Sequence, residues 1–237
     1  MPQKLVRVII PALNEEQTIG RVIDEIPVVT LQDMGYEVSI VVIDNNSTDR
    51  TSLVAQERGA TVVSELRRGK GRAITTAFEL TDGDFIFILD GDYTYPAAHI
   101  PEMVCLLESD YDVVLGSRLK GKIEKGAMAR MNLVGNHVLT LLANLLYRTR
   151  ISDLCTGYWG FKGNVVKDIK LDVVGFDLEA NLIAQISKLH CRIAEVPINY
   201  RRRPTPSKLN GFRDGLRIVR TLVDMKFNRN RRIVISE

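Results

Sequence analysis

Short runs of β-branched and other apolar residues alternate with helix-like segments through the first half of this chain, and no other feature constrains the fold as strongly. Such alternation predicts repeated strand–helix–strand units, which build a mostly parallel sheet flanked by helices. The predicted strands are Val6–Ile10, Val38–Ile43, Ala60–Ser64, Phe85–Leu89 and Asp112–Leu115. Helices are predicted from Asn14 to about Ile26, after the Asp44–Asp49 turn, from Gly69 to about Leu80 and over Pro96–Leu107.

The pattern changes after residue 120. The second half is predicted to contain helices over 127–148, Asp177–Leu189 and 209–227, a strand at Arg192–Ile198 and a Gly- and aromatic-containing segment at Asp153–Lys162. The last helix is amphipathic, with an apolar stripe and neighbouring arginines: Phe212, Leu216, Val219 and Val223 beside Arg213, Arg217 and Arg220.

Charge is spread unevenly along the chain. From Arg201 to the C-terminus there are eleven Lys and Arg against three Asp and Glu, a balance of +8, whereas the rest of the chain carries −5. A basic segment of this kind is expected to seek phosphate, an anionic membrane surface or nucleic acid. The acidic body and the scarcity of aromatics in the tail argue against nucleic-acid binding.

Cysteine and histidine are few and scattered, which argues against a disulfide framework and against a zinc cluster and suits a reducing compartment. They are Cys105, Cys155, Cys191, His99, His137 and His190. No signal-peptide pattern precedes the first strand. The longest uncharged stretch, Met131–Tyr147, is short and polar for a membrane span, so we expect a buried or interfacial helix.

Polar clusters follow four of the predicted strands: Asn14-Glu15, Asp44-Asn45, Asp90–Asp92 and Gly116–Arg118. In parallel sheets ligands bind beyond the carboxyl ends of the strands, so these clusters are candidates for one site. Asp90 and Asp92, separated by Gly91, could hold one Mg²⁺ or Mn²⁺ ion through oxygen ligands. The alternative for this segment is an ordinary solvated turn.

Two further clusters are candidates for nucleotide contact. Asp44 could accept hydrogen bonds from a base or ribose, whereas Asn14 and Ser47 could simply cap helices. The basic loop Arg67–Arg72, which includes Lys70, leads into a helix N-terminus and suits a diphosphate, although it lacks the P-loop spacing. The alternative for this loop is a solvated basic segment.

Taken together, these motifs resemble family 2 glycosyltransferases with the GT-A fold. The second half resembles the polyprenyl-phosphate branch, which includes dolichyl-phosphate mannose and glucose synthases, through Gly116–Arg118, Arg130 with Asn136, Asp153–Tyr158, Gly175–Glu179 and Glu195–Tyr200. The resemblance covers roughly residues 5 to 220. Three features depart from it: Leu13 replaces a common aromatic, Thr94 replaces a metal-binding Gln, and a basic amphipathic helix stands where many relatives carry transmembrane helices.

The resemblance implies a GT-A catalytic domain over 1–208, with a nucleotide-sugar half (1–118) and an acceptor half (119–208), followed by a basic helix and tail over 209–237. It also implies inverting transfer of a hexose from a GDP-mannose or UDP-glucose type of donor to a polyprenyl (dolichyl) phosphate, with Mg²⁺ or Mn²⁺. Asp90 and Asp92 are then expected to bind the metal.

Further roles follow from the same resemblance. The donor-binding residues are expected to be Pro11, Asn14, Glu15, Asp44, Asn46, Lys70, Asp90, Gly91 and Asp92. Asp92, Arg118 and Arg130 are expected to be catalytic, and Arg118, Arg130, Ser207 and Lys208 to bind the acceptor phosphate. A structural ion pair is the alternative for Arg118. Asp177 and Glu179 could act as a base towards a hydroxyl acceptor or could cap the helix that follows them.

Other functions stay open on the sequence alone. A metal-dependent glycosyltransferase with a soluble sugar or small-molecule acceptor would share the fold, and a nucleotidyltransferase is a more distant alternative. The basic amphipathic helix suits a peripheral position on the cytoplasmic face of a membrane. It could equally pack on the body of the protein or on another subunit, so a homo-oligomer stays open.

Overall fold

A computed structural model describes residues 3–80, 82–171, 173, 175, 177–206 and 211–227. Within these residues one sheet contains β1 (Lys4–Ala12), β2 (Tyr36–Asp44), β3 (Thr61–Ser64), β4 (Phe85–Ile88), β5 (Val113–Ser117), β6 (Trp159–Lys162) and β7 (Ile193–Pro197). The helices are α1 (Ile19–Asp24), α2 (Val28–Asp33), α3 (Thr51–Glu57), α4 (Lys70–Leu80), α5 (Ile100–Glu108), α6 (Arg130–Tyr147), α7 (Gly163–Asp168), α8 (Leu178–Lys188) and α9 (Gly211–Phe227). A 3₁₀ turn at Ala97–His99 precedes α5.

The strand order is β3-β2-β1-β4-β6-β5-β7. Every neighbouring pair is parallel except the two pairs that β6 makes with β4 and β5. This arrangement confirms the predicted α/β fold with a mostly parallel sheet between helices. Because the chain leaves β1 towards β2 and later returns to pair β4 on the other side of β1, the topological switch lies between β1 and β4. Ligand sites of such sheets form at this crevice.

Strand β6 was not predicted, because its sequence alternates aromatic residues with glycine and lysine and contains no β-branched residue. Trp159 and Phe161 point to the same face of the sheet, and their rings stack with centroids 5.6 Å apart. Gly160 points to the other face, where a β-carbon would lie only 2.6 Å from the Phe87 ring. This segment therefore forms a strand because it packs and pairs between β4 and β5, and not because its residues favour β-structure locally.

Each face of the sheet has its own hydrophobic core. One core joins the sheet to α4, α6, α7, α8 and α9, and the other joins it to α1, α2, α3 and α5. Strand β1 supplies both cores because alternate residues point in opposite directions: Ile9 faces the first core, and Val8 and Ile10 face the second. Burial on both faces explains why the central strands read as nearly continuous apolar runs.

The predicted start of the first helix was wrong. Helix α1 begins at Ile19, so Asn14 lies in a preceding loop with a φ of 50°, a left-handed conformation that asparagine tolerates well. Helix α3 begins at Thr51, two residues beyond Asp49, which confirms the helix predicted after the Asp44–Asp49 turn. The helix start predicted within the basic loop is close to the observed start of α4 at Lys70. The short helix α2 was not predicted.

The C-terminal helix α9 packs on the body through Ile218 and Leu222, both of which are buried, and contacts α6 and α8. The predicted apolar stripe is therefore not the packing face, because Leu216 and Val223 are exposed. The side chain of Phe212 lies outside the described part of the chain. No helix within the described residues is both long and apolar enough to cross a bilayer.

Candidate active site

The acidic loop that follows β4 lies at the switch point. A β-carbon built on Gly91 would lie 3.4 Å from both the Ile10 side chain and the Pro11 carbonyl oxygen. The loop therefore rests directly on the end of β1. The Thr18 hydroxyl donates to the Gly91 carbonyl at 2.8 Å. Thr94 holds the Asp92 carboxylate by donating from its hydroxyl at 2.6 Å and its backbone N–H at 3.1 Å. Thr94 is itself buried, so it orients Asp92 from behind.

Asp90 is bound by a lysine from the basic loop. The Lys70 ammonium lies 2.8 Å from the Asp90 carboxylate and 2.9 Å from that of Glu179. Burial opposes the charge on Lys70, but the two carboxylates outweigh it and raise the pKa of Lys70 above its usual value. Burial raises the pKa of Glu179, and Lys70 offsets only part of this effect. The structure thus joins three of the residues that the sequence predicted separately.

Asp92 is bound by an arginine that the sequence did not single out. Arg203, in the segment after β7, lies 3.3 Å from the Asp92 carboxylate and 2.5 Å from that of Glu15. Burial and then the neighbouring Asp90 carboxylate raise the pKa of Asp92, and the hydrogen bond from the Thr94 hydroxyl and then Arg203 counteract them. The sequence did contain a signal for Arg203. The basic run 201–203 follows a parallel strand, so it was expected at the same edge of the sheet as the other polar clusters.

The loops after β1 and β2 bind each other instead of capping helices. The Asn14 backbone N–H donates to the Ser47 hydroxyl at 2.9 Å, and the Thr48 N–H donates to the Asn14 side-chain oxygen at 2.8 Å. Neither Asn14 nor Ser47 is the N-cap of α1 or α3, so the capping interpretation was wrong for those helices. The Asp44 carboxylate accepts from the Ser47 N–H and the Ser52 hydroxyl, and each of its oxygens has capacity for another donor.

Asn45 anchors the basic loop, a role that the sequence did not predict although Asn45 belongs to the polar cluster after the second strand. Its side chain accepts from the Gly69 N–H at 2.6 Å and donates to the carbonyls of Glu65 and Arg67. Asn46 itself is exposed at a φ of 64°. The loop is therefore held in place immediately before α4, where Lys70 begins the helix.

Arg118, at the end of β5, forms a buried bidentate ion pair with Asp153. Both guanidinium–carboxylate distances are 2.7 Å, and the Arg118 N–H donates to the same carboxylate at 3.0 Å. The Asn136 amide of α6 donates to Asp153 at 2.7 Å. Burial opposes the ionisation of Asp153, but Arg118 and Asn136 outweigh it and lower the pKa of Asp153. Asp153 belonged to a recognised motif, yet its partner could not be read from the sequence.

Two tyrosines lie between this ion pair and the acidic loop. The Arg118 guanidinium is 5.2 Å from the Tyr200 ring, whose centroid is 5.2 Å from that of Tyr95. The Tyr95 hydroxyl accepts from the Gly157 N–H at 2.8 Å, and a β-carbon at position 157 would overlap the Asp90 carboxylate. Arg118 and Asp90 therefore belong to one contiguous site.

Other predicted residues lie elsewhere. Arg130 is exposed at the start of α6, and no ion pair of its side chain is found within the described residues. Asp177 precedes α8 without a side-chain capping bond to the described backbone, and it accepts from the Thr221 hydroxyl of α9 at 3.3 Å. Ser207 and Lys208 lie outside the described residues.

The acidic loop fits a divalent cation that completes its coordination with substrate. Asp90 and Asp92 are close enough for one carboxylate to raise the pKa of the other, a repulsion that a shared cation would relieve. No set of three or more His, Cys, Asp or Glu residues with metal-binding geometry occurs in the described residues. Two carboxylates with phosphate and water as the remaining ligands match the way proteins usually bind Mg²⁺.

The sequence profile of glycosyl transferase family 2 matches residues 7–170, a span that contains the acidic loop, the basic loop and the Arg118–Asp153 pair. This chain belongs to glycosyl transferase family 2. It is therefore a glycosyltransferase, as the motifs predicted.

Several named proteins from archaea are similar to this family 2 chain. The dolichyl-phosphate hexose transferase of Haloferax volcanii is 34% identical over 218 residues, which are 91% of both chains. The low-salt glycan biosynthesis hexosyltransferase Agl6 of the same organism is also 34% identical over 218 residues, and the chain spans only about half of it (52%). The dolichol-phosphate mannosyltransferase of Pyrococcus furiosus is 30% identical over 87% of this chain and 59% of its own length.

Solved structures share the fold. Glucosyl-3-phosphoglycerate synthase from Mycobacterium tuberculosis, in complex with Mn²⁺, UDP and glucosyl-3-phosphoglycerate, superimposes with a TM-score of 0.74. The match covers 94% of this chain and 80% of that one at 25% identity. This similarity supports the GT-A architecture that the motifs implied.

Proposed function

We propose that this glycosyltransferase moves a hexose from a nucleotide sugar to a polyprenyl phosphate with inversion at the anomeric carbon. The observation that carries the proposal is the pairing, in one site, of an Asp90–Asp92 loop suited to a metal–diphosphate with the Arg118 guanidinium suited to a second phosphate. The relatives named as dolichyl-phosphate transferases support the lipid acceptor. A GDP-mannose or UDP-glucose type of donor is consistent with their names.

Asp90 and Asp92 would hold Mg²⁺ or Mn²⁺, which supplies Lewis-acid stabilisation of the leaving nucleoside diphosphate. Lys70 and Arg203 are positioned to move from these carboxylates towards the diphosphate when it enters, because phosphate competes for the same cations. The Asn14–Ser47 bridge and Asn45 fix the loops that would surround the nucleotide. Asp44 would accept from its base or ribose.

On the acceptor side, Arg118 would orient the attacking phosphate, with Arg130 and the 207–208 segment as further predicted contacts. The second pKa of a phosphate monoester is about 6, so the nucleophile is largely ionised at neutral pH and needs no strong base. Asp153 positions Arg118 through two hydrogen bonds and leaves the remaining guanidinium donors for the phosphate. The proposal places the enzyme peripherally at the cytoplasmic face of a membrane.

A soluble phosphorylated acceptor is the second candidate. The structural neighbour glucosyl-3-phosphoglycerate synthase has been solved with phosphoglyceric acid bound. An acceptor hydroxyl would need a base, and Glu179 is a buried carboxylate of the site, although it is paired with Lys70. Membership of glycosyl transferase family 2 argues against the nucleotidyltransferase alternative.

The test is a panel of radiolabelled nucleotide sugars with Mg²⁺ or Mn²⁺ and a polyprenyl phosphate, in which label entering the lipid phase is measured. Asp92→Asn should abolish transfer, whereas Asp110→Asn, which removes an exposed carboxylate far from the site, should leave it unchanged. Label from one donor in lipid would establish both substrates. Metal-dependent hydrolysis of a donor without label in lipid would instead reject the lipid acceptor and favour the second candidate.

A further inference from the structure

Helix α6 exposes an apolar stripe to solvent along its whole length. Its members are Met131, Val134, Val138, Leu141 and Leu145, which are between 60% and 85% exposed. The spacing alternates three and four residues, so all five lie on one side of the helix. Arg130 is the only residue of α6 that carries a permanent charge. A surface helix normally turns an apolar stripe of this kind towards the core, whereas α6 turns this one towards solvent.

Helix α9 lies beside α6 and points in the same direction. Gly211 at the start of α9 packs on Asn132, and towards the other end the Tyr147 hydroxyl donates to the Leu222 carbonyl at 2.7 Å. The exposed surface of α9 carries apolar and cationic side chains together: Leu216, Val223 and Phe227, with Arg213, Arg217, Arg220 and Lys226. One of these cations, Arg220, lies 3.5 Å from the half-exposed Asp224 of the same helix. We call these eight apolar side chains, five from α6 and three from α9, the α6–α9 face.

The inner side of α6 contacts the acceptor side of the active site. Asn136 donates to Asp153, the partner of Arg118, and the Thr140 hydroxyl accepts from the Leu154 N–H at 3.0 Å. One helix therefore separates the α6–α9 face from the Arg118–Asp153 pair, a thickness of about 10 Å. A bilayer that touches this face would lie about one helix diameter from that pair.

We propose that the α6–α9 face docks on an anionic bilayer and so presents Arg118 to the phosphate of a lipid acceptor, an inference that rests on the proposed function. The apolar side chains enter the boundary between headgroups and acyl chains, and the cations of α9 meet the lipid phosphates. A twofold contact with a second copy suits the face less well, because it would bring the α9 arginines of the two copies towards like charge.

The direct test is sedimentation of the full chain with phosphatidylcholine vesicles that contain or lack phosphatidylglycerol. The variant Val138→Asp/Leu141→Asp places two carboxylates in the face, and Val29→Asp/Leu80→Asp places two at comparably exposed apolar positions on α2 and α4. We expect binding only to the anionic vesicles, a loss of about tenfold in partitioning for the first variant and none for the second. Circular dichroism melts check that both variants fold.

Equal binding of the two variants and the wild type would overturn the proposal, and so would an absence of binding by the wild type. Sedimentation velocity addresses the second-copy alternative. A wild-type dimer that becomes monomeric only in Val138→Asp/Leu141→Asp, without vesicle binding, would assign the face to self-association and would also overturn the proposal.

Sugar transfer separates this proposal from the proposed function. With a short, water-soluble polyprenyl phosphate, Val138→Asp/Leu141→Asp should retain wild-type activity, and with a long-chain acceptor in anionic vesicles it should lose about tenfold. Vesicle binding without transfer to either acceptor would support the docking face and reject the lipid acceptor. Transfer to both acceptors at wild-type rates by the variant would support the proposed function and reject the docking face.

Discussion

Gly157 determines how closely the backbone approaches the metal-binding candidate Asp90. A β-carbon at this position would overlap the Asp90 carboxylate, and the φ of Gly157 is not in the region that favours glycine. The restriction on residue 157 is therefore steric, and it acts on a side chain of the site. A larger residue would move the carboxylate before it disturbed the backbone.

Gly157→Ala should accordingly weaken divalent-cation binding by about tenfold while changing the free energy of unfolding by less than about 1 kcal/mol. Isothermal titration with Mn²⁺ in the presence of a nucleoside diphosphate measures the first quantity, and urea unfolding measures the second. Gly135→Ala is the matched control, because a β-carbon there has no heavy atom of the described residues within 4 Å. Unchanged Mn²⁺ affinity in Gly157→Ala would mean that Asp90 is not a ligand.

Glu65 shows how a single buried carboxylate makes stability depend on pH. The hydrogen bond from Arg67, followed by that from Thr76, lowers the pKa of Glu65 from 4.5 to about 2. Because the folded-state pKa lies below the unfolded-state value, this contribution is complete above pH 4.5 and disappears as the pH falls through 2.

Glu65→Gln should therefore be less stable than the wild type at pH 7, and the gap should narrow steadily between pH 4.5 and pH 2. Urea unfolding of both proteins across this pH range measures the gap. Glu57→Gln, which removes an exposed carboxylate from α3, provides the comparison. A gap that stays constant with pH would show that Glu65 acts through packing and not through its charge.

At the scale of elements, the sequence predicted the strands that carry β-branched runs and the helices that carry a clear periodicity. It failed where tertiary contacts outweigh local preference. Strand β6 exists because it fits between β4 and β5, and α1 begins late because Asn14 binds the neighbouring loop instead of a helix end. The candidate site followed the same rule: the positions at strand ends were predictable, whereas the partners from distant segments, Arg203 and Asp153, were not.

The Arg118–Asp153 pair connects β5 with the segment that precedes β6, and Asn136 extends this connection to α6. Asp153→Asn should lower the free energy of unfolding by about 3 kcal/mol, because it leaves the Arg118 guanidinium buried without its counter-charge. Asp110→Asn breaks an exposed pair with Arg192 and should cost less than about 1 kcal/mol. Urea unfolding measures the free energy of unfolding of both variants. Equal losses would mean that the buried pair stabilises the fold no more than the exposed pair does.

At the scale of the whole molecule, the candidate active site is made by segments that are far apart in the chain and meet only in the folded sheet. Glu15 and Arg203 are separated by 188 positions, and Lys70 and Glu179 by 109. Ligands that bind these segments together should therefore stabilise the entire fold, because they bind the native state and not the unfolded chain. Lys70 and Arg203 also pair with Asp90 and Asp92, so part of the negative charge of the acidic loop is offset before any ligand arrives.

The pairing of Lys70 and Arg203 with the acidic loop predicts that metal and nucleotide stabilise the protein cooperatively. Mn²⁺ alone should raise Tm little, because it must displace Lys70 and Arg203 from Asp90 and Asp92 without offering them another anion. Mn²⁺ with the correct nucleoside diphosphate at about a hundred times Kd should add roughly 2.7 kcal/mol, or about 5–10 °C for a domain of this size. Differential scanning fluorimetry measures both shifts, and EDTA should remove them. Asp92→Asn should lose the joint shift, and an equal shift from Mn²⁺ alone would contradict a site that phosphate has to complete.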